Sequence, residues 1–463
     1  MLIVLFQGCG HTSDNLQKST YIGGEIINPT TDHVLIRRRG KLLDTVFLDE
    51  DNRFSYKIDS AEHGLYLIQH KPETQNLYVA PGDSLLLRVN TLAFDESIHF
   101  SGKGNAENNF MSEMFLLDEA NSKLLLSFDD YPPAEFQKIA DSIHQERLNE
   151  LQKIAKKKKF SNDFVALAKD VIKYENFDLK ERYTYLVTKY FKEYAKQFPE
   201  NFHDYRKTAD FNSEALQCSP GYKRFLENYL INYSLSWCAT SGLDSADCSS
   251  LTDVENVMAR IRKAGELVQL SSLRQSLLKK IAVRGVVMAE SRDHIIAIIN
   301  ELRNQKLPEE DIDEMRQLGT IQLAYLPGTS VANVRLLNLE GEFVKINDVL
   351  EKPTVIFLWS VYKTGHLEEH KLINQFRKKY PDVDFIGINL DIKEEPAWRV
   401  AVRNNNYNTN FEYQLAPTRI NKKFFEYYLD KMLFLDPSGE VVNGDTYLTS
   451  PRFETTILEL LNQ

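Results

Sequence analysis

Apolar residues follow two different spacings along this chain. Between residues 21 and 103, short apolar segments alternate with turn-forming residues. Segments this close together, without helical spacing between them, predict a small antiparallel β-sandwich. From residue 106 to residue 318 the apolar positions recur at helical spacing, as at Phe136, Ile139 and Ile143, which predicts a helical middle domain.

A strand followed by a helix is predicted near the end of the chain. Residues 355–359 form a run of apolar residues rich in β-branched and aromatic types, which is typical of a buried strand. Ile373, Phe376 and Tyr380 then follow on one face of a helix. Residues 384–391 predict a second strand, parallel to the first because a crossover helix of suitable length precedes it.

The length of 463 residues exceeds what one hydrophobic core usually serves, so we expect a multidomain α+β protein. The changes in spacing divide it into a leader and tether, a β-sandwich, a helical domain and a C-terminal α/β domain, at residues 1–19, 20–105, 106–322 and 323–463. A composition of 43% hydrophobic and 26% charged residues is ordinary for a globular protein. The formal charge of −10 argues against a nucleic-acid partner, because phosphate binding needs cations.

The segment around Trp359 resembles the active-site segment of the thioredoxin superfamily, in particular the TlpA-like envelope thiol-disulfide oxidoreductases. In that family a strand ending Phe-Trp-Ala-x-Trp leads into Cys-x-x-Cys, and residues 358–362, Leu-Trp-Ser-Val-Tyr, fit this approach. The resemblance covers residues 323–463 and implies a thioredoxin-like fold for the C-terminal domain. Lys363 and His366 stand where the two cysteines would be.

Disulfide exchange requires a thiolate, which neither Lys363 nor His366 can supply. No cysteine follows Cys248 in the chain. Family members also place a cis-proline beside the reactive cysteine, and that position falls on Asp430; a non-proline cis bond costs about 2.5–4 kcal/mol, so we expect a trans bond and an altered loop there. We therefore predict no catalytic residue and treat Lys363, His366 and Asp430 as degenerate redox positions.

A zinc site is the competing interpretation of the same helix start. His366, Glu369 and His370 satisfy the His-x-x-Glu-His pattern of the inverzincin metalloproteases, and two histidines four residues apart share a helix face. A third ligand would have to come from a distant helix, and glutamates in a first turn are favoured by the helix dipole anyway. We therefore predict no metal. No phosphate-binding loop or Gly-x-Ser-x-Gly elbow occurs, so no cofactor is predicted.

The first nine residues are apolar up to Cys9 and resemble the end of a bacterial lipoprotein signal peptide. The resemblance implies lipidation of Cys9 and a periplasm-facing protein anchored to the cell envelope. No basic n-region precedes the apolar stretch, which a start codon annotated too late would explain. A frayed end or a tag remnant is the alternative, since Val-Leu-Phe-Gln-Gly resembles a protease site used in tags.

Three cysteines lie in the middle of the chain. Cys238 and Cys248 flank a short polar segment and could form a disulfide in an envelope compartment, although three unpaired cysteines, with Cys218, fit the sequence equally well. The first functional hypothesis is a redox-inactive protein that binds or scaffolds an unknown protein or peptide partner. The second is a TlpA-type oxidoreductase that uses the mid-chain cysteines, and the third is metal-dependent hydrolysis.

Overall fold

The computed structural model describes residues 19–242, 248, 250–363, 365–392 and 395–462. The predicted leader and Cys9 lie outside the described residues. The chain forms two compact units, one of residues up to 233 with 267–274 and one of residues 234–266 with 275–463. Within the described residues, no helix is both long and apolar enough to cross a membrane.

Eight strands of the first unit form two four-stranded sheets, with the orders β4-β1-β7-β8 and β3-β2-β5-β6. Apolar side chains from both sheets, including Ile22, Val34 and Leu85, share one buried core, so the sheets form a sandwich. The strands are β1 (Thr20–Ile27), β2 (His33–Arg38), β3 (Lys41–Phe47), β4 (Arg53–Ile58), β5 (Gly64–His70), β6 (Glu73–Val79), β7 (Ser84–Asn90) and β8 (His99–Lys103).

The sandwich is not wholly antiparallel, which corrects the prediction from sequence. Strand β1 pairs with β4 antiparallel, with Tyr21 opposite Lys57, but it pairs with β7 parallel, with Ile22 opposite Leu85. Turn residues indicate only how consecutive strands are joined. The pairing of β1 with β7 joins strands that are distant in sequence, so no turn signal could reveal its direction.

The middle of the chain is helical. Its described helices are α1 (Phe94–Ser97), α2 (Asn105–Ser122), α3 (Pro133–Lys158), α4 (Asn162–Tyr190), α5 (Lys192–Ala195), α6 (Pro220–Thr240), α7 (Val254–Leu267), α8 (Ser271–Val287), α9 (Arg292–Asn304) and α10 (Glu309–Leu323). Helix α4 begins at a Ser161 cap, whose hydroxyl accepts a hydrogen bond from the backbone N–H of Phe164. The two compact units divide these helices between them, so residues 106–322 do not form one separate body.

Buried ion pairs hold the helices of the first unit together. Glu181 is fully buried on α4 and receives two hydrogen bonds of 2.7 Å from the Arg206 guanidinium. Arg224 on α6 reaches Asp118 of α2 at 2.6 Å and Asp178 of α4 at 2.9 Å. Each of these buried carboxylates therefore has a guanidinium within hydrogen-bond distance.

The second unit contains a seven-stranded mixed sheet of order β10-β9-β13-β12-β11-β14-β15. The strands are β9 (Arg335–Leu337), β10 (Phe343–Lys345), β11 (Thr354–Trp359), β12 (Asp384–Asn389), β13 (Glu412–Leu415), β14 (Lys431–Leu435) and β15 (Val441–Tyr447), and the helices are α11 (His366–Lys379), α12 (Glu395–Asn404), α13 (Lys422–Phe425) and α14 (Phe453–Leu461). Strands β11, β12 and β13 are parallel, whereas β14 is antiparallel to both β11 and β15.

The two faces of this sheet pack against different helices. Phe357 and Trp359 of β11 belong to a core that also includes Ile373 of α11, Trp398 of α12 and Phe453 of α14. Two residues that follow β13 contact α10. The Tyr428 hydroxyl donates a hydrogen bond to the Leu318 carbonyl, and Lys423 pairs with Glu314 at 2.6 Å. Helix α10 therefore packs with the C-terminal domain inside one compact unit.

The mid-chain cysteines fall in both units. Cys238 and Cys248 form a disulfide in the second unit. Cys218 is a buried free thiol in the first unit.

Candidate functional site

The turn between β11 and α11 is held by a carboxylate from the neighbouring strand. Asp391 follows β12, and it accepts hydrogen bonds of 2.8 Å from both the Ser360 hydroxyl and the backbone N–H of Val361. The two strands are parallel, so their carboxyl ends lie at the same edge of the sheet, where sites in open α/β sheets form. The start of the turn is therefore fixed in place.

Asp391 itself is a charged anchor. Its side chain is fully buried, and the Lys422 ammonium lies 2.6 Å from its Oδ1. Burial alone would raise the pKa of Asp391, but the hydrogen bonds from Lys422, Val361 and Ser360 outweigh it and lower that pKa. A carboxylate so strongly solvated by its neighbours is a poor proton acceptor, which indicates a positioning role.

Lys363 and Asp430, two of the three predicted positions, lie together. The Lys363 Nζ is 2.6 Å from Asp430 Oδ1, and it also donates to the Leu429 carbonyl at 3.4 Å. The peptide bond before Asp430 is trans. The pair is half-open to water, because the Asp430 side chain is 77% exposed.

His366 points to a different partner. Its Nδ1 lies 2.7 Å from the Tyr407 hydroxyl, and its ring stacks on Trp359 with the centroids 5.6 Å apart. Burial, followed by the nearby His370, lowers the pKa of His366. The imidazole therefore stays neutral to lower pH than a free histidine does.

Glu369 is a nearly buried acid beside the Lys363–Asp430 pair. Its side chain is 9% exposed, and Lys363 Nζ lies 3.9 Å from its Oε2, which makes no hydrogen bond with any described residue. Burial raises the pKa of Glu369 to about 7, although Lys363 and then His370 act in the opposite direction. This carboxyl therefore gains and loses its proton near neutral pH.

A layer of buried polar groups lies beneath these residues. The Trp359 indole N–H donates to Glu412 Oε2 at 3.0 Å, and His370 Nε2 faces Glu412 Oε1 at 3.4 Å. His370 also stacks on the Tyr407 ring with a centroid distance of 3.6 Å. The Glu412 carboxylate packs closely against Gly387, because a Cβ on that residue would lie 2.5 Å from Glu412 Oε2 and would displace the side chain.

This layer bears on the zinc interpretation. His370 is 1% exposed, with Nδ1 donating to the His366 carbonyl at 2.7 Å and Nε2 facing Glu412. His366 and His370 therefore do not point their nitrogens at one shared open position. Among the described residues, no cluster of three or more His, Cys, Asp or Glu side chains has a geometry suited to a metal ion.

A cavity of about 290 Å³ opens beside the corner formed by Lys363, Glu369 and Asp430. We call residues 360–363 and 365–370, together with Asp430, the β11–α11 corner. Within this corner, Tyr362 is 63% exposed and Leu367 is 47% exposed. Tyrosine is among the residue types enriched at protein interfaces, so Tyr362 is a candidate contact residue.

Sequence reasoning found part of this site. It named Lys363, His366 and Asp430, but it considered Glu369 only as part of a zinc pattern. It missed Glu412 and Asp391. The only signal for each was a single acidic residue in or just after an apolar strand, which does not indicate a site by itself. Their partners are distant in sequence, so only the fold brings them together.

The C-terminal part of the chain forms a thioredoxin-like α/β domain. This follows from the order and directions of strands β12, β11, β14 and β15, with α11 as the crossover helix and α14 at the end. The predicted thioredoxin-like fold is thereby confirmed. The turn between β11 and α11 of this domain carries Lys363, which pairs with Asp430, and leads into His366, which contacts Tyr407.

No protein-family model matches this chain, and no curated protein matches it. Solved bacterial structures are similar to a part of this chain. A thiol:disulfide interchange protein from Bacteroides sp. is 18% identical over 30% of this chain and 93% of its own, with a TM-score of 0.25. A thiol-disulfide oxidoreductase from Bacteroides fragilis is 19% identical over 28% and 99%, with a TM-score of 0.23. The thioredoxin domain of an oxidoreductase from Bacteroides vulgatus is 17% identical over 29% and 98%, with a TM-score of 0.24. Likenesses this weak carry no argument about activity.

Proposed function

We propose that this protein is a lipid-anchored bacterial envelope protein whose thioredoxin-like domain binds a protein or peptide partner without redox chemistry. One observation carries the proposal: the two positions that would hold the dithiol are occupied by Lys363, paired with Asp430 at 2.6 Å, and by His366, bonded to Tyr407 at 2.7 Å. Neither side chain can form or break a disulfide.

The chemistry of the β11–α11 corner supports binding. Tyr362 and Leu367 offer exposed apolar contacts, and aromatic residues are favoured at interfaces. The Lys363–Asp430 pair is exposed enough to exchange partners, and Glu369 has an oxygen without a hydrogen bond among the described residues. The corner therefore offers apolar, cationic and anionic contacts, although Leu367 lines a different cavity from Lys363 and Glu369.

The envelope location rests on two separate features. Cys9 is proposed to carry the lipid anchor, and the Cys238–Cys248 disulfide supports an oxidising compartment, because cytosolic thiols are kept reduced. Cys9→Ser is expected to move the protein from the membrane fraction to the soluble fraction. Continued membrane association of that variant would rule out the anchor.

Site-specific photo-crosslinking tests the binding proposal. A photoreactive phenylalanine analogue replaces Tyr362 at the corner in one variant, and Val400 in a control, since Val400 is 53% exposed on α12 of the same unit. We expect a discrete crosslinked partner from position 362, weakened by Lys363→Glu, and none from position 400. Equal crosslinking at both positions, or none at 362 in intact envelopes, would refute partner binding at the corner.

The alternative, an oxidoreductase that uses mid-chain cysteines, has one observation in its favour. The Cys238–Cys248 disulfide belongs to the same compact unit as the corner. Cys248 is only 2% exposed, however, which hinders attack by an external thiol. Thiol trapping with mass spectrometry distinguishes the two: a disulfide that stays closed under mild reductant excludes this alternative.

A further inference from the structure

A cavity of about 380 Å³ lies on the side of the second unit's sheet that faces away from α11. Its floor consists of buried apolar side chains from the three central strands: Ile356 and Leu358 of β11, Ile388 of β12 and Leu433 of β14. These four residues alternate with the residues of the core described above, so their side chains point to the opposite face. The volume is in the range that small-molecule sites occupy.

One residue that lines the cavity has a hydroxyl without a hydrogen-bond partner among the described residues. Tyr325, just after α10, lines it and is 7% exposed. Its hydroxyl makes no hydrogen bond with any described residue, whereas the neighbouring Tyr428 donates to the Leu318 carbonyl. The hydroxyl of this nearly buried residue can therefore form a hydrogen bond with an oxygen or nitrogen of a bound molecule.

The remaining polar residues at the cavity are exposed and include one cation. Asn333, Thr418 and Arg335 line the cavity and are exposed. Arg335 lies over the Phe343 ring at 4.6 Å, and no carboxylate in the described parts of the chain lies within ion-pair distance of it. A guanidinium placed in this way is free to pair with a carboxylate.

We infer that this cavity binds a small apolar carboxylate, of the medium-chain fatty acid type. The aliphatic floor takes the hydrocarbon body, and Arg335 and the Tyr325 hydroxyl supply the polar contacts. The inference is independent of partner binding at the β11–α11 corner, because it uses none of the corner's residues.

Calorimetric titration of the full chain with decanoate tests the inference, with 1-decanol as the uncharged probe. We expect saturable decanoate binding at one site per chain. Ala324→Phe, which puts a ring into the cavity, should weaken it at least tenfold. Val400→Phe adds the same ring at an exposed site on α12 and should leave it unchanged.

A separate experiment tests whether Arg335 pairs with the carboxylate of the ligand. Arg335→Gln changes an exposed side chain and so leaves the fold intact. We expect it to weaken decanoate binding about five- to tenfold and to leave 1-decanol binding within twofold. Absence of saturable decanoate binding, or equal decanoate affinity in the wild type and in folded Ala324→Phe or Arg335→Gln protein, would overturn the inference.

Discussion

Two buried carboxylates, Glu181 of the first compact unit and Glu369 of the second, differ in how closely a cation approaches them. In the first unit, Glu181 has the Arg206 guanidinium at 2.7 Å. At the β11–α11 corner of the second unit, the cation nearest Glu369 is 3.9 Å away, and Glu412 has His370 at 3.4 Å. Tightly paired buried charges are typical of structural networks, whereas poorly paired ones cluster at functional sites. The comparison therefore predicts a structural role for Glu181 and supports the proposed binding role of the corner.

The largest effect is expected from breaking a tight pair. Arg206→Met leaves the fully buried Glu181 without its guanidinium, which should cost about 3–5 kcal/mol of unfolding free energy. Native-state hydrogen exchange of α4 measures this locally. Lys207→Met is the matched control, because Lys207 is 77% exposed in its pair with Asp204 and should cost less than about 1 kcal/mol. If both variants lose a similar amount of unfolding free energy, the Arg206–Glu181 pair does not have the structural role predicted for it.

A smaller effect, opposite in sign, is expected at the corner. The folded-state pKa of Glu369 is raised to about 7, so between about pH 4.5 and pH 7 the folded chain holds a proton that the unfolded chain releases. Stability should therefore fall as pH rises through this window, by up to about 3 kcal/mol. Glu369→Gln should abolish that loss and be more stable than the wild type at pH 8.

Hydrogen exchange of α11 at pH 5 and pH 8 measures the Glu369 effect. Glu368→Gln is the control, since Glu368 is the exposed neighbour in the same helical turn. It should keep the wild-type pH dependence. An unchanged pH dependence in Glu369→Gln would show that this carboxyl is not the titrating group.

The smallest effect is expected from Lys363. Its pair with Asp430 is half-exposed, so Lys363→Met should cost less than about 1 kcal/mol at pH 7. Because Lys363 lowers the pKa of Glu369, the same variant should move the midpoint of the pH-dependent stability loss upward. The exposed Lys371 of α11 provides the control, Lys371→Met. If the pH midpoint of the stability loss is the same in Lys363→Met as in the wild type, Lys363 does not affect the pKa of Glu369.

The parts of the fold that could be predicted are those that local pattern determines. Residues 355–359 are all apolar and become the central strand β11, and the helical spacing of Ile373 and Phe376 becomes α11. The parallel pairing of β1 with β7 could not be predicted, because it depends on contacts between strands that are distant in sequence.

The candidate site shows the same division. Lys363 and His366 were identifiable because a recognisable strand and helix bracket them. The burial of Glu369 could not be identified from the sequence, and neither could the hydrogen bond between Tyr407 and His366. Both depend on packing between elements far apart in the chain. Sequence therefore located the corner, and only the structure revealed its electrostatics.

The most direct measurement is catalysed reduction of insulin by dithiothreitol, using the full chain and a variant with Cys218, Cys238 and Cys248 replaced by serine. Thioredoxin-type chemistry at the corner would need a sulfur that Lys363 and His366 do not supply, so both proteins should match the uncatalysed rate. Acceleration by the wild type would contradict the account: if it persisted in the serine variant, Cys9 would be the only thiol left to account for it, and if it vanished there, the mid-chain cysteines would be the catalysts.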